Sequence, residues 1–360
     1  GLVGSEMCIR DRILAAWQHY VWTGDDTPLR RNYDVMKRYV AYLASTADGD
    51  IVSHGLGDWY DIGPDPPGYA QLTPRALTAT AIYYEDVAAL ARIAARLGRD
   101  DDAARYARDA SRIGVAFNRE FFDSGTSVYA TGSQTAQAMP LVLDLVPDGH
   151  RAGVLDALVR DVRAHANGTT AGDVGYRYVL RALADGGRSD VIFDMNHQSN
   201  RPGYGYQLAR GATSLTEAWD ANPRSSQNHF MLGQIMEWFY GDLAGLAPDE
   251  DHPGFERVRV RPQPASGITW ARATHDSPRG RIAVSWRRDG GTFSLEVDLP
   301  PNTSAELWVP AEGGRGVREG GQPLEQAPGV RLLREEEGRV VLAVDSGRYA
   351  FTSAWAGPLP

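Results

Sequence analysis

Glu217, Trp219 and Asp220 stand in one stretch, GATSLTEAWD from Gly211 to Asp220; Asn228 and His229 follow beyond a polar turn through Pro223. A carboxylate, an indole and an imidazole on one loop are what a carbohydrate site uses. The aromatic face stacks on the apolar face of a sugar ring, and the carboxylate can activate a water or a hydroxyl. The same residues also suit a plainer part: a capped loop whose Trp219 is core and whose His229 only caps the next helix. Residue types alone leave these two readings level.

Two further loops have the composition of a ligand rim. GLGDWYDIG, from Gly55 to Gly63, sets Asp58, Trp59, Tyr60 and Asp61 between glycines and runs on through Pro64, Pro66 and Pro67. GYGYQLARG, from Gly203 to Gly211, offers Tyr204 and Tyr206. Glycines let backbone approach a ligand closely, and the rings supply platforms. The alternatives are an Asp58 that caps backbone amides with Trp59 turned inward, and tyrosines packed in core. Asp48, Asp50, Asp100, Asp101 and Asp102 fall at turns and read as solvated caps. No His/Asp/Glu spacing suggests a dedicated metal site, and no cofactor is expected.

Helices must position these loops. Leu29, Tyr33, Met36, Val40 and Leu43 make an apolar stripe at helical spacing, begun by Thr27 as N-cap and Pro28 at the first helical position. Thr73-Pro74 repeats the signal before Leu77, Ala81, Tyr84, Ala88, Ala91 and Ala95, and Gly98 stops that helix. Further helices are expected at 101–120, 133–145, 149–166, 174–186, 188–195 and 226–246, the last apolar from about Phe230 to Leu246. No strand is expected among them. Nine or so helices in pairs suggest a helical toroid with a cleft at one end.

Past Pro253 the apolar period falls to two. Ile282, Val284 and Trp286 alternate with polar residues, followed by Phe293 to Leu299, Ala305 to Val309, Val330 with Leu332, Val340 to Val344, and Tyr349 with Phe351. Asp289-Gly290-Gly291 is a hairpin signal. A β-sandwich of seven or eight short strands is expected, buttressing the helices.

The totals narrow the function. A chain of 360 residues can hold two domains with substantial cores. Its formal net charge of -9 would repel phosphates, which argues against a nucleic-acid partner. No apolar run approaches the roughly 20 residues of a membrane span. Cys8 is the only cysteine, so an intrachain disulfide and a thiolate metal cluster are excluded. Compartment and oligomeric state stay open. GLVGSEMCIRDR, residues 1–12, has neither the charged nor the apolar region of a signal peptide and reads as a non-native scar; a native N-terminus is the alternative. The expected division is therefore 1–12, a helical catalytic domain over 13–250 that lacks its first helices, and a β-sandwich over 251–360.

Taken together, the motifs resemble the inverting α-L-rhamnosidases of glycoside hydrolase family 78. They are Gly55-Leu56-Gly57-Asp58-Trp59, Gly211-Ala212-Thr213-Ser214 with Glu217-Ala218-Trp219, Ser226-Gln227-Asn228-His229, and Trp238-Phe239-Tyr240-Gly241-Asp242-Leu243-Ala244-Gly245. The likeness spans about residues 13–310. One departure is Thr216, where the common form has Trp before the Glu. The resemblance implies an (α/α)6 toroid followed by a C-terminal antiparallel β-sandwich. It also implies a rhamnose-containing glycoside or oligosaccharide as substrate and Glu217 as the general base. Asp58, Trp59, Trp219, His229, Tyr204 and Tyr206 become candidate substrate contacts. The family's general acid lies in a motif upstream of the first helix seen here, and no match to it exists between Ile13 and Pro360. Two other readings remain. Asp58 or Asp61 could be the acid of a self-sufficient toroidal hydrolase of uronyl oligosaccharides, or the chain could be a sugar-binding module without an acid/base pair.

Overall fold

The structure, a computed structural model, describes residues 5–314, 316–336, 338–355 and 357, with side chains from Ile13 onward. Packing divides the chain into two units, residues 1–17 with 27–235 and residues 18–26 with 236–360. Of the expected scar, residues 1–4 lie outside the described residues. The first helix, α1, runs from Ser5 to Thr23, across the change in composition at Ile13.

In the first unit α2 (Thr27–Thr46) buries Leu29, Tyr33, Met36, Val40 and Leu43, the whole expected stripe. Next come α3 (Arg75–Arg96) and α4 (Asp100–Phe121), which pack on each other. The buried face of α3 is not the expected row. Leu77, Ala81, Tyr83, Val87, Leu90 and Ile93 are inside, while Ala95 is exposed. Because α3 touches α2, α4 and α5 at once, the larger aliphatic residues between the alanines fill the core. Thr73 does not cap α3; its hydroxyl pairs with Ser133 Oγ at 2.7 Å, and Pro74 takes the N-cap position. Gly98, at φ +69°, ends the helix in the left-handed region, as expected. Asp102 is no solvated cap. It accepts from Tyr33 Oη at 2.8 Å and Lys37 Nζ at 2.9 Å, tying α4 to α2.

A small hairpin, β1 (Phe122–Asp123) with β2 (Val128–Tyr129), interrupts the expected all-helical run. Then come α5 (Gln134–Val142), α6 (Arg151–Ala164), α7 (Gly175–Asp185) and α8 (Ser189–His197), near their expected places. The stretch expected as a tyrosine loop holds a short helix, α9 (Tyr204–Ala209). The single helix expected to 246 is instead three pieces: a 3-10 turn (Phe230–Gln234), α10 (Ile235–Trp238) and a π turn (Phe239–Ala244). Gly245, at φ +86°, closes the last. Among the described residues no helix is long and apolar enough to cross a membrane.

The second unit holds β3 (Leu246–Pro248), β4 (Arg257–Val260), β5 (Trp270–Ser277), β6 (Gly280–Asp289), β7 (Thr292–Leu299), β8 (Ser304–Pro310), β9 (Arg318–Glu319), β10 (Gln322–Pro323), β11 (Val330–Glu336), β12 (Arg339–Val344) and β13 (Gly347–Ala354). They form a six-stranded sheet, β10-β9-β13-β7-β6-β5, and a five-stranded sheet, β11-β12-β8-β4-β3. All pairings are antiparallel except β4 with β8. Ile282, Val284, Trp286, Leu295 and Val297 of one sheet share a core with Leu307, Val309, Val340 and Leu342 of the other, so the period-two reading placed the inward faces correctly. Leu332 is the exception, 51% exposed. A bulge between Leu332 and Arg334 breaks the alternation there.

Candidate functional site

Every residue from Gly168 to Tyr176 is buried, so each amide and carbonyl in this segment needs a partner. The Gln134 side chain serves two, donating to Gly168 O at 3.1 Å and accepting from Thr170 N at 3.0 Å. The GLGDW loop serves more. Ile62 N donates to Thr170 O, and Asp173 N donates to Trp59 O at 2.8 Å. Asp58 accepts from Gly172 N at 3.0 Å, Gly175 N at 2.7 Å and Thr135 Oγ1 at 2.5 Å. Gly175 is the first residue of α7, whose own N-cap provides no side-chain bond. Asp58 therefore caps α7 from a distant loop, with its charge where the helix dipole favours it. The fit requires two glycines: a Cβ on Gly172 would lie 2.1 Å from Trp59 O, and one on Gly175 2.0 Å from Thr135 Oγ1.

Burial pushes the Asp58 carboxyl up to about 6, while the bonds from Thr135, Gly172 and Gly175 favour its charged form. Replacing Asp58 by Ala strands two buried amides beside a cavity. The expected loss is about 3 kcal/mol in urea unfolding; Asp58→Asn, which keeps one acceptor oxygen, should lose less. Equal stability of the two variants would refute the clamp.

The 211–229 stretch folds as two arms of one loop. Glu217 N donates to Ser226 O at 2.9 Å, Ser226 N returns a bond to Glu217 Oε2 at 3.1 Å, and His229 N donates to Leu215 O at 2.8 Å. Ser214 Oγ also bonds Gln227 O. Pairing of the arms brings Glu217 and His229, both half-buried, to one place. Asp220 faces the turn instead, accepting from Asn222 N at 3.0 Å.

Behind them lies Asp173, which the sequence reading passed over. It is 2% exposed, and neither carboxyl oxygen has a hydrogen-bond partner. Its Oδ2 stands 3.7 Å from His229 Nε2. Donor atoms of Asp173, Glu217 and His229 lie within 4.8 Å of one another, close enough to hold a cation between them. Burial, followed by the charges of Asp58 and Glu217, pushes the Asp173 carboxyl up to about 8. The signal that could have found it is Gly172-Asp173-Val174-Gly175, an acid between glycines like that of the GLGDW loop. The structure thus gathers a group able to hold metal where spacing suggested none.

The other candidates separate. Trp219 is wholly buried, with Nε1 donating to Ala171 O at 2.9 Å and its ring edge-on to Tyr176 and Tyr204. It anchors the loop and offers no open face to a sugar. Tyr204 joins that aromatic cluster and its hydroxyl bonds Leu232 O, while Tyr206 lies under Arg210. Trp59 is half-buried, its ring against Tyr60 and the exposed Tyr69. Phe230, expected at the start of an apolar helix, is 82% exposed and parallel to His229. Asp61 accepts from Gln71 N and Leu72 N; like Asp58 it is buried and committed to backbone amides. That removes the acid from the self-sufficient uronyl-hydrolase reading. A separate recess on α4, lined by Gly49, Asp50, Arg108, Arg112 and Arg119, has its carboxylate paired with Arg112 at 2.7 Å and no base.

Two family models match the chain, the bacterial α-L-rhamnosidase six-hairpin glycosidase domain over residues 11–243 and the bacterial α-L-rhamnosidase C-terminal domain over 245–323. An α-L-rhamnosidase of Streptomyces avermitilis is 32% identical over 94% of this chain and 32% of its own length. One from Formosa agariphila is 27% identical over 94% of this chain and 38% of its own. The chain thus spans about a third of these curated relatives. Among solved structures, the S. avermitilis enzyme complexed with L-rhamnose matches with a TM-score of 0.86 at 31% identity, covering 95% of this chain and 32% of that one. The enzyme of Dictyoglumus thermophilum matches with a TM-score of 0.87 at 32% identity, covering 94% and 39%. The fold is that of a six-hairpin, (α/α)-toroid-type domain followed by an antiparallel β-sheet domain, as expected.

Proposed function

Because the chain belongs to the bacterial α-L-rhamnosidase six-hairpin glycosidase family, we propose that it carries the base-bearing part of an inverting hydrolase of terminal α-L-rhamnosyl residues. The observation that carries this is the convergence of Glu217 and His229 from two arms of one loop, backed by a buried Asp173. The Ser226 amide orients Glu217 through Oε2. Glu217 takes a proton from a water as that water attacks the anomeric carbon, and the bond to the leaving oxygen breaks. His229 binds a sugar hydroxyl. Trp59, with Phe230 in place of the buried Trp219, supplies the stacking face. Inversion needs a second carboxyl about 6.5–9.5 Å from the base. Asp58 and Asp61 are committed elsewhere, and the family resemblance implies an acid upstream of the first helix seen here; we therefore assign it to the part of the relatives that this chain does not span. In the same reading residues 13–250 are the catalytic domain and 251–360 a β-sandwich domain.

L-Rhamnose binding by isothermal titration calorimetry tests the sugar site. The chain should bind, and Trp59→Ala should weaken binding by about 1–3 kcal/mol, the scale of one lost ring contact. No heat of binding, or an unchanged Trp59→Ala variant, would overturn the assignment.

A further inference from the structure

Taking Glu217 as the base, we infer that Asp173, Glu217 and His229 form a site for a divalent transition-metal ion of the Zn²⁺ class, and that an ion held there shuts the base off. The three donors come from two segments: Asp173 from the buried 168–176 run, Glu217 and His229 from the paired arms of the 211–229 loop. Their ligand atoms all lie within 4.8 Å of one another. A tetrahedral ion with bonds of about 2.0–2.2 Å spreads its ligands about 3.4 Å apart. His229 Nε2 and Asp173 Oδ2, at 3.7 Å, stand close to that spacing. Asp173 is the fixed member, and the half-buried Glu217 and His229 close the rest by side-chain rotation.

Asp173 points to a ligand independently of the cluster. It is 2% exposed, and neither of its oxygens accepts a hydrogen bond. A buried carboxyl with its acceptor atoms unused calls for a partner. Among the described residues its ion-pair neighbour is His229, beyond hydrogen-bond reach. A divalent ion meets that need directly, and two carboxylates balance its charge. One imidazole with two carboxylates suits Zn²⁺ and its first-row neighbours, whereas Ca²⁺ and Mg²⁺ favour an all-oxygen shell. Three protein ligands leave the fourth position to water. The Ser226 amide, bonded to Glu217 Oε2 at 3.1 Å, orients one ligand from behind. Any proton on the carboxyls goes to solvent as the ion enters. With its oxygen on the ion, Glu217 no longer takes a proton from water, and His229 no longer reaches a sugar hydroxyl.

Zn²⁺ titration against a chromophoric chelator reads the site without any substrate. One ion per chain should bind, and Ca²⁺ should not displace it. Asp173→Asn and His229→Ala should each weaken binding by about tenfold or more. His229 is half-buried on a loop, so its variant still decides if Asp173→Asn does not fold. Hydrolysis of α-L-rhamnosyl fluoride should fall in step with Zn²⁺ occupancy and return when EDTA removes the ion. The absence of stoichiometric binding would overturn the inference, as would binding that survives either variant. Full hydrolysis with the ion bound would overturn it too. Ion binding and sugar hydrolysis fail independently. Stoichiometric Zn²⁺ binding that depends on these residues, in a chain that neither binds nor cleaves rhamnosides, would uphold the ion site and strike only the proposed function.

Discussion

Glu217→Gln should lower the hydrolysis of α-L-rhamnosyl fluoride by roughly 10²–10⁴ in kcat, with little change in KM. The amide keeps the shape of the carboxylate and an acceptor for the Ser226 amide, but it cannot take a proton from water. Fluoride is the informative leaving group because it departs without being protonated. With the general acid assigned outside residues 13–360, it is the substrate this chain should turn over, whereas rhamnosides with alkoxide leaving groups should stand nearly untouched. The first sugar released should be β-L-rhamnose, seen by NMR before mutarotation, because one displacement inverts the anomeric centre. Retention of configuration, or near-normal kcat in Glu217→Gln, would remove Glu217 from this role. A chain that binds L-rhamnose but leaves the fluoride intact would be a sugar-binding module.

What the sequence made legible was whatever depends on neighbours along the chain. The α2 stripe and the alternation of β6, β7 and β8 follow directly from the periods of helix and strand. Two arms of a loop carrying Glu217 and His229 were legible as a motif, though not their pairing. The apolar run from Phe230 misled, because an apolar count does not distinguish a 3-10 turn from an α or a π turn. It could not show that Phe230 faces solvent, either. Asp173 was invisible for a different reason. Its chemistry comes from being sealed among Asp58, Glu217 and His229, groups drawn from two other loops. The type of Trp219 likewise fits a platform or an anchor equally well; only its burial against Ala171, Tyr176 and Tyr204 decides.

That anchor carries the second large effect. Trp219→Ala should destabilise the chain by about 3–5 kcal/mol, the range for deleting a buried indole, because its ring fills the space between Tyr176 and Tyr204. Trp219→Phe keeps an aromatic body but leaves the buried Ala171 carbonyl without its donor, so a loss of about 1–2 kcal/mol is expected. Chemical denaturation measures both. A stabilising anchor and a sugar platform differ in what the Phe variant does next. An anchor predicts lower stability with L-rhamnose affinity nearly unchanged, since no face of the ring is open to the sugar. A platform predicts the reverse, near-normal stability and an altered affinity. The 171–173 segment receives Trp219 at Ala171 and the Trp59 carbonyl at Asp173, so loosening the indole should also loosen the loop that holds Asp173. In Trp219→Ala the Asp173 carboxyl, no longer sealed, should titrate lower, toward the ordinary carboxylate range. A Trp219→Ala chain of undiminished stability would show that Trp219 is not the anchor of this loop.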